Sequence, residues 1–72
     1  MRAINWSYGN LRLEYDTEQI AKVYHHDRYI GKVWLNASQL WTTETVNGDN
    51  CGTSFLCAFY AADQMRLFLR LP

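Results

Sequence analysis

The residues whose types could do chemistry gather in the stretch VYHHDRYIGKVW, residues 23–34. His25 and His26 could bind a metal or carry a proton. Adjacent strand residues point to opposite faces, however, so two neighbouring imidazoles do not converge on one ion. Cys51 and Cys57 add a C-x5-C spacing that matches no common zinc pattern. The two histidines read instead as polar residues flanking an exposed loop. Nucleophilic catalysis needs a Ser or Cys beside a base and a third, orienting group. Ser54, Cys57, the histidines and Asp27 are present, but nothing in their spacing joins them, and a thiol set among Phe55, Leu56, Ala58 and Phe59 reads as buried packing. Glu14, Asp16 and Glu18 read as a solvated strand end rather than an acid/base pair. The chain has no glycine-rich phosphate loop. The expectation is a non-enzyme with no catalytic residue, metal or cofactor.

More specific is the interleaving of basic and apolar or aromatic residues: Lys22, Tyr24, Arg28, Ile30, Lys32 and Trp34. Exposed rings with this spacing could stack nucleic-acid bases at about 1–3 kcal/mol each, with the cations on phosphates. They could equally pair across strands for roughly 0.2–1 kcal/mol per pair. Composition weighs on the choice. Seven Lys plus Arg balance seven Asp plus Glu in 72 residues, so affinity driven mainly by counterion release is disfavoured, as is an acidic mimic of nucleic acid.

The elements that position these side chains form a single domain over residues 1–72, since a chain this short cannot supply two cores. LRLEY, residues 11–15, alternates with the period of a half-buried strand. AINWSY before it reads as a partner strand or an extended arm, Gly9 and Asn10 as a turn or bulge, and DTEQ after it as a turn. The next hairpin carries the opening stretch. A three-residue loop of His26, Asp27 and Arg28 sets Ala21 opposite Val33 and Val23 opposite Gly31, with Leu35 on the same core face. That register puts Ile20, Tyr24, Ile30 and Trp34 on the other face, with Lys22 and Lys32 among them. A further strand is expected within QLWTTETV, residues 39–46, followed by a turn at NGDNCG, residues 47–52. Thr53 or Ser54 then caps a helix reaching about Leu69 or Leu71. Its stripe of Phe55, Ala58, Phe59, Ala62, Met65 and Leu69 would cover the sheet. The fold class is therefore α+β: an antiparallel sheet of three to four strands with one C-terminal helix packed on one face.

MRAINWSYGN lacks the apolar core of a secretion signal, and the apolar C-terminal run is interrupted by Asp63, Gln64 and Arg66. This points to the cytoplasm, reduced cysteines and no membrane partner.

From YIGKVW through CGTSFLCAFYAAD, the meander, the Gly-Thr step and the Ala-rich helix are similar to the ethylene-response-factor DNA-binding domains and the arm-binding domains of phage integrases. That resemblance implies a sheet entering the major groove, and it carries over to Lys22, Arg28, Lys32 and Trp34. The strand QLWTTETV departs from it in having no Arg or Lys. In size and layout the chain also resembles small phage-borne inhibitors of bacterial defence, including anti-CRISPR proteins, which implies blocking a surface of one larger protein in the bacterial cytoplasm.

One helix covers one face, and a contact core favours Trp, Tyr and Arg. The expected partner-binding residues are thus Tyr24, Arg28, Tyr29, Ile30, Lys32, Trp34 and Trp41, with Trp6 a further aromatic of the same kind. The partner is a larger protein or complex first, and nucleic acid held by Lys22, Arg28 and Lys32 second. Leu56, Tyr60, Leu67 and Phe68 fall outside the helix's core stripe and offer a route to a homodimer.

Overall fold

The computed structural model describes the backbone of residues 6–8 and all of residues 10–72. The start of AINWSY, Gly9 and the side chain of Trp6 lie outside the described residues. The strands β1 (Trp6–Tyr8), β2 (Leu11–Thr17), β3 (Ile20–His25), β4 (Arg28–Leu35) and β5 (Trp41–Thr45) precede one helix, α1 (Ala58–Phe68). They form an antiparallel meander in the order β1-β2-β3-β4-β5, in which β2 to β5 carry the sheet and the three-residue β1 extends one edge. With α1 packed against it, the fold is α+β.

Alternation decides the faces. Leu11 and Leu13 of β2, Ala21 and Val23 of β3, and Val33 of β4 turn inward against Ala58, Ala61, Ala62 and Met65 of α1. The alanines let the helix backbone approach the sheet closely. Leu13, Val23, Val33 and Met65 are the large fully buried apolar side chains, each worth about 1.5–3 kcal/mol of transfer free energy.

The β3–β4 hairpin follows the expected register at its base, Ala21 to Val33 and Val23 to Gly31, and then departs from it. Tyr24 pairs with Tyr29 and His25 with Arg28, so the loop is only His26 and Asp27, at φ 51° and 64°. Two consecutive left-handed residues make the turn whose twist matches that of the flanking strands. The surplus residue is absorbed as a β-bulge at Ile30. The bulge swings Ile30 to the helix side, where it is 4% exposed and joins the core. The expectation that Ile30 stands on the outer face is therefore corrected. Gly31 is required beside it, because a Cβ there would meet the Glu44 carbonyl oxygen and lie 2.7 Å from Met65 Sδ.

The helix also begins later than expected, with neither Thr53 nor Ser54 capping it. Residues 49–55 run along the outer edge of β5 instead. Thr45 N donates to Asp49 O (2.8 Å), Thr43 N to Gly52 O (3.0 Å), and Trp41 and Phe55 exchange both backbone bonds. Asn36 pins the segment, its Nδ2 donating to Thr53 O and to Thr42 Oγ1, both at 2.9 Å. An edge strand with its N–H groups occupied in this way does not recruit a further strand. The cap is Cys57, whose Sγ accepts the Tyr60 N–H at 3.4 Å. At the other end Arg70 adopts φ 58°, Arg70 N donates to Leu67 O and Leu71 N to Arg66 O, which together form a Schellman closure.

Candidate functional site

With α1 on one side, the other face of β2 to β5 is uncovered among the described residues, and the register lays its side chains out in three rows. The first row is Arg12, Tyr24 and Tyr29. The second is Glu14, Lys22, Lys32 and Glu44, one residue from each of four strands. The third is Thr17, Ile20, Trp34 and Thr42.

In the first row the tyrosine rings meet at 5.7 Å with their planes tilted by 60°, and the Arg12 guanidinium lies 4.5 Å from the Tyr24 centroid. Arg12 also donates from Nη1 to Asp27 Oδ1 at 2.6 Å, tying the hairpin tip to β2. In the second row Lys32 Nζ stands 3.6 Å from Glu44 and 5.4 Å from the Trp34 ring centroid, while Lys22 Nζ reaches Asp16 at 3.9 Å. In the third row Ile20 and Trp34, with Lys32 at the rim, line an open depression of about 250 Å³.

The rows show which expected contact residues come together. Tyr24, Tyr29, Lys32 and Trp34 share the uncovered face, and Arg28 is exposed at the hairpin tip. Ile30 is in the core. Trp41 pairs with Leu35 and packs against the core from the helix side, so it does not share a surface with Trp34. The expected aromatic contact residues do not form one cluster, since the lysine row separates the tyrosine pair from Trp34. Sequence reasoning gave Arg12, Glu14 and Glu44 no contact role, because these residues acquire one only once β2 and β5 are paired to the central hairpin.

Two further expectations change. His25 does not flank the loop as an exposed residue: it is 6% exposed, its Nε2 donates to the Pro72 oxygen at 2.9 Å, and its ring meets that of exposed His26 edge-on at 4.5 Å. Cys57 is exposed at the start of α1 rather than buried in packing, whereas Cys51 is half-buried. Burial pushes the Cys51 thiol upward; the Thr43 hydroxyl opposes the shift and the Asp49 carboxylate adds to it. Burial likewise raises the Tyr15 phenol, with the Cys57 thiol adding to the effect.

Among the described residues no three His, Cys, Asp or Glu side chains are grouped to hold a metal, and no helix is long and apolar enough to cross a membrane. On the far side of the molecule Leu56, at 84% exposure, and the helix residues Tyr60, Leu67 and Phe68 face solvent. No family model, curated protein or solved structure matches this chain.

Proposed function

We propose that this chain is a small non-catalytic protein-binding module that docks a larger protein against the uncovered face of its sheet and occludes the surface it covers. The observation that carries this reading is the open depression between Ile20 and Trp34, placed on the side of the sheet that α1 leaves bare. A Trp at the edge of a concavity, with a tyrosine pair beyond the lysine row on the same face, is the kind of anchor that dominates protein contacts. Occlusion is also the mode of the small phage-borne inhibitors that the chain resembles in size.

The nucleic-acid reading is the weaker one. Lys22, Lys32 and Arg12 each stand beside a carboxylate on this same face, which lowers the potential a phosphate backbone would meet.

The test is affinity capture from host extract with wild type, Trp34→Ala and Tyr24→Ala, followed by calorimetry on the recovered partner. Loss of a central anchor costs ~2 kcal/mol, about 30-fold in Kd. Equal affinity for all three proteins would remove the sheet face from the reading.

A further inference from the structure

Lys22 and Lys32 are direct cross-strand partners on the uncovered face, each about half exposed. Like charges directly opposite one another destabilise a sheet. Here the row is ordered acid, lysine, lysine, acid, so its positive charge is concentrated at the centre and its negative charge at the two ends. The carboxylates that accompany the lysines are held loosely, Glu44 at 3.6 Å and Asp16 at 3.9 Å, and all four side chains are more than two-fifths exposed. Ion pairs of that kind contribute little and are readily exchanged.

We infer that the ammonium groups of Lys22 and Lys32, on neighbouring strands, are the receiving site for a carboxylate side chain of the docked protein, with a large apolar side chain next to that carboxylate seated between Ile20 and Trp34. This rests on the docking reading above and supplies its partner chemistry. The carboxylate takes the place of the loosely held Asp16 and Glu44 as partner of Lys22 and Lys32. Lys32 also forms the rim of the depression, so the two partner side chains sit on adjacent rows. The same row argues against a polyanion: a single carboxylate occupies only the centre, whereas a phosphate chain running along the row meets Glu14 and Glu44 at its ends.

The experiment is an NMR titration of the full chain with a blocked peptide in which glutamate is flanked by leucine and phenylalanine. The same peptide with glutamine for glutamate and a single-stranded oligothymidylate serve as comparison probes. The expected result is saturable shifts of the Lys22 and Lys32 ammonium signals and the Trp34 indole. These weaken with salt, are at least 10-fold weaker for the glutamine peptide, and are lost in the double variant Lys22→Gln, Lys32→Gln. The double variant should melt close to wild type, because the exposed ion pairs it removes contribute little. Equal binding of the glutamine peptide, or undiminished binding by the double variant, overturns the inference. Stronger shifts with oligothymidylate at the same ionic strength overturn it in favour of a polyanion. If the captured partner is lost by Trp34→Ala but kept by the double variant, the carboxylate site fails while the docking face stands. If both variants keep it, the docking face fails as well.

Discussion

Replacing Gly31 with alanine probes the bulge that decides which residues reach the uncovered face. The new methyl would collide with the Glu44 carbonyl oxygen, lie 2.7 Å from Met65 Sδ and 2.9 Å from Thr45 Cα. Met65 can turn aside, but the other two atoms are backbone of β5 and are held by that strand's pairing to both of its neighbours. Relief therefore requires β4 and β5 to separate locally or the bulge to migrate. Overpacking of this kind costs about 1–3 kcal/mol, and rigid backbone on one side places the cost in the upper half of that range. In a domain of this size each kcal/mol moves the midpoint by about 4–8 °C, so about 2–3 kcal/mol lowers it by roughly 10–20 °C. Gly48→Ala is the comparison. It has a left-handed φ of 89° but nothing within 4 Å of the added methyl, so it carries only the backbone penalty of about 1 kcal/mol. Thermal and urea unfolding of the two variants read the difference. A Gly31→Ala loss no larger than that of Gly48→Ala would refute the close approach of β4 to β5 and, with it, the inward placement of Ile30.

Cys57→Ser should hold or raise the melting temperature and Cys57→Ala should lower stability by about 0.5–1 kcal/mol, because the side chain at this position caps the Tyr60 N–H. Arg70→Gly should stabilise by about 0.5–1 kcal/mol, since the Schellman closure holds a residue with a Cβ at φ 58°, where glycine is at ease; a destabilisation measured in urea would contradict the closure. The double change His26→Asn, Asp27→Gly supplies the preferred residues for a two-residue left-handed turn. It should raise stability even after loss of the exposed Arg12–Asp27 ion pair, and a fall in the urea midpoint would count against the two-residue loop. The Cys51 thiol is raised from its ordinary 9.0, so its contribution is intact below that pH and is lost as pH rises above it, where the unfolded chain ionises first. Unfolding free energy should accordingly fall more steeply above pH 9.0 for wild type than for Cys51→Ala; identical slopes would contradict the half-buried placement of the thiol.

Period-two alternation in LRLEY and the pairing of Ala21 with Val33 follow from side-chain chemistry alone, because a one-residue slip would expose the core face. The α+β class, the strand at 41–45 and the helix on one side of the sheet were legible for the same reason. Lys22, Tyr24, Lys32 and Trp34 could be placed on one face because local alternation is all that placement needs. The fate of Ile30 was not legible. Whether a hairpin closes with three loop residues, or with two and a bulge, is settled by the twist of the sheet and by the room Gly31 leaves beside Met65 and β5. The helix start was hidden likewise, since Thr53 can cap a helix by its local chemistry but is drawn into an extended run by Asn36 and the edge of β5, both distant in sequence. The neighbours of each charged residue on the uncovered face also had to await the fold. Local spacing assigns a side chain to one side of a strand, but only the assembled sheet sets Glu14 and Glu44 beside the lysines and pairs Tyr24 with Tyr29.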